Sequence, residues 1–519
     1  MKYTLKLYPE LLKKVDSMTV DELLLSVIVP NVNAGEIIPP RDTTAVFVHP
    51  TTTEMAKSVA HEINDGREAP ALIVSDMEYG AGNAIKGAVN FPSMMAVAKT
   101  GDEKNAYEMG IVAAKEAREA GYHWTFGPCV DILMNHDNPI VCTRTAGDDA
   151  DTVIKYGGAY MRGLQDAGLI ATLKHFPGDG CSIDDQHLAV TINPLEKDEW
   201  DASFGKVYST LIEQGAMTVM PGHISLPAYD TPDENGIYPP ATMSKALLTD
   251  LLRNKLGFEG IIVSDGVTMG GFCCYKNMYE ACSRFLEAGG DCLIFMHGTE
   301  EYLSEMKKHL ASGLLSMETL KNRAYRMMCF ARHYFEICKD LKTTPLDRAY
   351  AEELSRKVTK DSATVEYDRV KLLPFEINEK TRIGHVIFVN TGMPEATRTP
   401  IHALTERLRA LGATVTELDD IGPGAMKEAS VSGEYDLFIC SVMAGESYGT
   451  NVAKLCGPLA RNMMTGWMKM GVPTIFISYK NPYFKDQYAS TVDTMINTYG
   501  YTEYTPDAIV DLITGKNKD

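Results

Sequence analysis

The chain has 519 residues, too many for one ordinary domain, and its 45% apolar and 23% charged content is that of a globular protein with large cores, so two domains are expected. A formal charge of −19 with no Lys/Arg run excludes a nucleic-acid duplex or an anionic membrane as partner, because phosphate binding needs clustered basic side chains. The N-terminus lacks the long apolar core and small-residue cleavage site of a secretory signal, and the apolar run Leu23 to Val29 is too short to cross a bilayer, so cytoplasmic residence is expected. Eleven scattered cysteines, some inside apolar runs such as Phe438-Ile439-Cys440, read as reduced core thiols. No C-x-x-C or H-E-x-x-H spacing occurs, and neither a metal nor a cofactor is expected.

Short β-rich runs alternate with amphipathic helical stretches over the first three hundred residues. They are Ala45 to His49, Ala71 to Val74, His123 to Phe126, Leu169 to Lys174, Ala216 to Met220, Gly260 to Ser264 and Asp291 to Phe295. Alternation of this kind demands a mainly parallel sheet. Ser244 stands as N-cap before an apolar helical run and Gly257 follows as a stop. Seven such repeats, with an eighth not placed, predict an α/β fold whose first domain is a (β/α)8-type TIM barrel over residues 1–340. A long helical stretch from about Ser316 to Glu353 then reads as a connector, and 341–378 as the linker. Residues 379–519 carry a second α/β pattern, with strands at Ile383 to Val389, Asp436 to Cys440, Val472 to Ser478 and Thr491 to Asn497. Helices are expected over Pro400 to Leu411 and from Thr505-Pro506, where Thr caps and Pro takes the first turn. An α/β/α sandwich without a catalytic motif is the simplest outcome.

In a parallel barrel the catalytic groups leave the C-terminal ends of strands. Asp76, Lys174 with His175, His223, Asp265 and His297 each stand at or just after a predicted strand. One such residue is ordinarily a cap or turn group, but five together point to a shared site. Asp265 lies in Val-Ser-Asp-Gly, where glycine relaxes the backbone and exposes the carboxylate, as a nucleophile needs; a helix N-cap is the alternative. In Asp185-Gln186-His187, the i, i+2 spacing lets the carboxylate reach one ring nitrogen while the other faces a ligand.

Ordered motifs across almost the whole chain carry a resemblance. They are Phe91-Pro-Ser-Met-Met-Ala96, Gly127-Pro-Cys-Val-Asp131, Asn138 to Gly147, Leu173-Lys-His-Phe-Pro-Gly178, Asp185-Gln-His187, Pro240 to Lys245 and Leu256 to Asp265. The sequence resembles glycoside hydrolase family 3, within it the β-N-acetylhexosaminidase branch. The resemblance implies a retaining enzyme that removes β-linked N-acetylhexosamine from a carbohydrate substrate through a covalent glycosyl-enzyme intermediate. It implies that Asp265 attacks the anomeric carbon and that His187, oriented by Asp185, is the acid/base. Asp76, Arg144, Lys174 and His175 match positions that bind sugar hydroxyls, and His223 lines the same pocket. Their types suit the task, since hydroxyls need charged donors and acceptors, and cations ease the burial of an ionised Asp265.

Ordinary retaining glycosidases use two carboxyl groups about 5 Å apart. Here histidine takes the donor's place, and an imidazole, titrating near ~6.5, has a proton to give close to neutral pH. A neutral imidazole does not repel an anion, so inorganic phosphate is an alternative acceptor and phosphorolysis the closest rival reading. A β-glucosidase of the same family and a catalytically silent sugar-binding protein are further alternatives; the second predicts loss of Asp265 or His187, and both stand. The chain departs from the branch pattern at three places. Asp179 stands where a second histidine is usual and either contacts the aglycone or only holds the loop. Tyr79-Gly-Ala-Gly-Asn83 lacks an arginine, and Thr145-Ala146 replaces Ser-Phe. A monomer or homodimer is expected.

Overall fold

The computed structural model describes residues 1–33, 39–339, 341, 344–390 and 393–516. It divides into two compact units, one of Met1–Val89, Ala106–Asn135 and Thr145–Ala351, the other of Asn90–Asn105, His136–Arg144 and Glu352–Asp519. Part of the connector expected at 341–378 falls outside the described residues. The rest carries a helix over Arg348–Ser362 and the strand Thr364–Asp368.

The first unit is built on short parallel strands: β1 (Ile28–Val29), β2 (Asn31–Val32), β3 (Ala45–Val48), β4 (Leu72–Ser75), β5 (Trp124–Thr125), β6 (Thr172–Phe176), β7 (Thr218–Pro221), β8 (Ile261–Ile262) and β9 (Leu293–Ile294). β2, β3, β4 and β5 pair in that order, as do β6, β7 and β8, and β1 pairs with β9. Isolated parallel bridges join Trp124 to Ile170 and Val263 to Cys292. All seven predicted runs are strands within a few residues of their expected place. The unplaced repeat is β1 with β2, two-residue pieces on either side of Pro30, whose missing N–H interrupts any continuous ladder. The chain is nonetheless held there, because Phe47 N–H donates to the Pro30 carbonyl at 2.9 Å.

Ser244 caps as expected, its hydroxyl accepting from Leu247 N–H at 3.0 Å, and Gly257 ends the helix at φ +70°. At the other end of the strands, the carboxylate of Asp291 is fully buried. It takes Ile262 N–H at 2.8 Å, Arg253 at 2.6 Å and Arg326 at 2.8 Å. Burial opposes its ionisation, but Arg326, Arg253 and Arg323 outweigh that and hold its pKa at about 2.

In the second unit, six strands form one sheet: β10 (Thr364–Asp368), β11 (Arg382–Val389), β12 (Thr414–Asp419), β13 (Leu437–Met443), β14 (Thr474–Ser478) and β15 (Thr494–Asn497), in the order β10-β15-β14-β13-β11-β12. All neighbours are parallel except β10 against β15. Ile383, Ile387, Ile439, Ile475 and Ile477 pack on one side with Leu404, Leu408 and Ile509 of the helices Thr399–Ala410 and Thr505–Thr514. The alternate residues Val386, Phe388, Phe438, Cys440 and Phe476 pack with Met426, Trp467 and Phe484. Both faces are therefore apolar, as a parallel sheet requires. Thr505 is not the cap expected of it: it is the first helical residue, and its hydroxyl accepts from Thr502 N–H at 2.8 Å.

Among the described residues no helix is long and apolar enough to cross a membrane. All eleven cysteines are free thiols.

Candidate active site

Three of the expected site residues, His175, His187 and His223, stand near Asp265. Its side chain is 14% exposed, and Oδ1 accepts from Gly266 N–H at 2.7 Å. The next helix, Gly270–Cys273, takes Met269 at its N-cap position, so Asp265 does not cap it. Burial opposes ionisation of Asp265, and His175, His223 and His187, with the Gly266 N–H, outweigh it and hold its carboxyl below the usual range. The shift favours the ionised carboxylate.

β6, buried at all five positions, carries both Lys174 and His175 within the strand rather than after it. The ammonium of Lys174 reaches Asp76 at 3.2 Å and Glu78 at 2.7 Å. Asp76 directly follows β4 and is half exposed, whereas Glu78 is nearly buried, so the lysine pairs with one solvent-accessible and one enclosed carboxylate. The ring of His175 lies between two carboxylates: Nδ1 is 2.7 Å from Asp131 Oδ2, and Nε2 is 4.0 Å from Asp265 Oδ2.

Asp185 and His187 form the pair that their spacing implied. Asp185 is buried, and Oδ1 accepts both the ring Nδ1–H of His187 at 2.6 Å and its backbone N–H at 2.8 Å. That double anchor fixes the orientation of the ring, 29% of the side chain being open. Gly270 N–H donates to the His187 carbonyl at 2.8 Å and Gly271 N–H to that of Gln186 at 3.2 Å, tying this loop to the one that follows Asp265.

His223 is fully buried, which lowers its pKa to about 4. As a neutral ring it donates from Nε2 to the Gly266 carbonyl at 3.1 Å and accepts at Nδ1 from Thr242 at 3.1 Å. It therefore braces the loop that follows Asp265. Arg144 is buried in the other unit, donating to the Ile140 carbonyl at 3.1 Å with its guanidinium 5.7 Å from the Tyr448 ring centroid. His297, also at a strand end, is exposed.

Three polar residues went unassigned in the sequence. Glu78 had the same strand-end signal as Asp76. Gln186, fully buried, accepts His223 N–H at 2.8 Å and donates to Asp179 at 3.2 Å. Asp131 ended a recognised motif without a role. Asp179 is buried and binds Gly180 N–H at 2.6 Å as well as Gln186, which accounts for it as a holder of the loop. That loop turns on Gly178 at φ +123° and Gly180 at φ +107°, where a Cβ would come within 2.1 Å of the Phe204 ring and of the Ile132 carbonyl. Cys129, Asp131 and His175 have donor atoms within 4.8 Å of one another, but the contacts of 3.0 and 2.7 Å between them are hydrogen bonds, which explain the cluster without an ion.

Residues 20–329 match the glycosyl hydrolase family 3 N-terminal domain. The chain belongs to that family. A β-N-acetylglucosaminidase/β-glucosidase of Cellulomonas fimi is 30% identical over 488 residues, covering 91% of this chain and 86% of that one. The β-hexosaminidase LpqI of Mycobacterium tuberculosis is 29% identical over 58% of this chain and 76% of its own. Among solved structures, the β-glucoside phosphorylase BglX bound to 2FGlc superposes with a TM-score of 0.87 at 28% identity, covering 99% of this chain and 96% of that one. The family 3 β-N-acetylglucosaminidase of a Paenibacillus strain has a TM-score of 0.80 at 22% identity over 96% and 97%, a likeness of fold.

Proposed function

We propose that this chain is a cytoplasmic retaining glycoside hydrolase that removes β-linked N-acetylhexosamine. Asp265 forms the glycosyl-enzyme. His187, aimed by Asp185, protonates the leaving oxygen and then deprotonates water. Asp76, Lys174, His175 and His223 serve the first sugar subsite. The observation that carries the reading is the 2.6 Å contact between Asp185 and His187 Nδ1, on a loop tied by backbone bonds to the one that follows Asp265. The relatives named above are a β-N-acetylglucosaminidase/β-glucosidase and a β-hexosaminidase by their names, and eleven cysteines outside any disulfide suit a reducing compartment.

The same reading places a (β/α)8-type barrel over 1–340, a linker at 341–378 and an α/β/α sandwich over 379–519. The parallel neighbours and bridges of β1 to β9, and apolar packing on both faces of the second sheet, support it.

Phosphorolysis is the second reading, favoured by the likeness to a β-glucoside phosphorylase at 28% identity and by a donor that carries no negative charge once deprotonated. Purified protein assayed on an aryl N-acetyl-β-glucosaminide and the matching β-glucoside, with and without inorganic phosphate, separates the cases. Release of free N-acetylhexosamine independent of phosphate is expected. A sugar 1-phosphate formed only with phosphate selects the second reading, and no turnover of any hexosaminide removes the first.

A further inference from the structure

Asp131, at the end of Gly127-Pro-Cys-Val-Asp131, has no exposed surface. Its Oδ1 accepts the backbone N–H of His175 at 3.0 Å and of Asp179 at 2.7 Å. Its Oδ2 accepts the thiol of Cys129 at 3.0 Å and Nδ1 of His175 at 2.7 Å. Two backbone N–H groups and a thiol can only donate to it; burial opposes its ionisation, but His175 and these donors outweigh that and hold its carboxyl below the usual range, so it is an ionised acceptor. A carboxylate that can only accept requires hydrogen on Nδ1 of His175. Nε2 is then the ring atom turned to Asp265, 4.0 Å from its Oδ2.

The arrangement repeats that of Asp185 and His187, where one carboxylate also binds a ring Nδ1 and the same histidine's backbone N–H. The two rings differ in access. The side chain of His187 is 29% exposed and that of His175 only 5%, so only the former is open to a leaving group and water. The other groups facing Asp131 are Cys129, Tyr208 and Cys181; burial raises the last two, Cys181 to about 12, so neither competes as its charged partner. His175 faces Asp131, Asp265 and His223, with Lys174 beside it in the strand.

We infer that Asp131 is a positioning residue for the sugar at the nucleophile: it keeps hydrogen on Nδ1 of His175 and so fixes the ring's aim, leaving Nε2 to accept from a sugar hydroxyl beside the Asp265 carboxylate. The inference rests on reading Asp265 as the nucleophile. Asp131→Asn in the full chain tests it, because the amide nitrogen would donate to His175 and reverse the tautomer. A wrong tautomer in an Asp–His pair costs on the order of 10⁴-fold in kcat where the ring moves the proton. Here the ring only holds, and a loss of about 10²-fold in kcat is expected, with KM changed far less. The acid limb of kcat/KM against pH should also move downward, because the lost negative charge and an Nε2–H turned towards Asp265 both favour its ionised form, which a purely structural substitution would not cause. Unchanged kcat and an unchanged acid limb in Asp131→Asn, with Asp265→Asn inactive, overturn the inference alone; activity retained by Asp265→Asn removes the reading beneath it. Nitrogen-15 NMR of the histidine rings in the unsubstituted protein gives a second measurement that needs no variant to fold. A His175 ring protonated on Nδ1 is expected, and one carrying hydrogen only on Nε2 contradicts the inference.

Discussion

Gly270→Ala tests how tightly the loop carrying His187, the proposed acid/base, is held. A Cβ at Gly270 would stand 2.3 Å from the Leu188 carbonyl oxygen and 3.0 Å from that of His187. Real Cβ contacts essentially never fall below 3.0 Å, so the loop must retreat by at least about 0.7 Å. The retreat falls on that loop, because Leu188 is exposed whereas Gly271 and Phe272 are buried. It also stretches the Gly270 N–H bond to the His187 carbonyl. A displacement of about 1 Å at a reacting group costs on the order of 10²-fold. The assay is kcat/KM on a series of aryl N-acetyl-β-glucosaminides of falling leaving-group acidity, with thermal unfolding alongside. A loss near 10²-fold is expected for the poorest leaving groups, shrinking towards none for the most activated, with the unfolding temperature nearly unchanged. Activity equal to the unsubstituted protein on every substrate, or a uniform loss across the series, would refute the reasoning.

Removing the ring itself, His187→Ala, should lower rates on poor leaving groups by roughly 10²–10⁴-fold and spare activated ones, since only the former need a proton; an equal loss on both speaks against the donor role. Asp291→Asn leaves Arg253 and Arg326 buried without their carboxylate, and denaturant unfolding should show a cost of about 3–5 kcal/mol. Because the pKa of Asp291 is held at about 2, below that of an unfolded aspartate, its contribution is complete above pH ~4 and fades as pH falls towards 2. His223 and His385 are buried, and burial lowers each to about 4. Below pH ~6.5 the unfolded chain takes protons that these rings refuse, so each should remove up to about 1.4 kcal/mol of stability per pH unit down to pH ~4. His385→Gln should flatten that slope between pH 7 and 5, and a slope identical to the unsubstituted protein would count against it.

The sequence made the interior strands legible and left the margins hidden, for reasons seen in particular residues. β13 and β14 are buried at every position, so Leu437 to Cys440 and Thr474 to Ser478 read as unbroken apolar runs. The two strands missed in that sheet, β10 and β12, are its two edges. Thr364-Val-Glu-Tyr-Asp368 and Thr414-Val-Thr-Glu-Leu-Asp419 mix polar with apolar residues, because one flank of an edge strand meets solvent. At the site, residues that follow a strand announced themselves, as Asp76 and Asp265 did. Gln186 and Asp131 work inside the protein through hydrogen bonds made across loops, and no local pattern distinguishes such a residue from a turn former. The folding of segments 90–105 and 136–144 with the second unit was equally hidden, since it depends on long-range contacts.

The central claim is that Asp265 becomes covalently glycosylated. The most direct measurement is intact-protein and peptide mass spectrometry after exposure to an activated aryl N-acetyl-β-glucosaminide carrying a ring fluorine, which slows breakdown of the intermediate. One added glycosyl group on the peptide containing Asp265, absent in Asp265→Asn, is the predicted result. An adduct on another residue, or turnover in Asp265→Asn equal to that of the unsubstituted protein, would contradict the account.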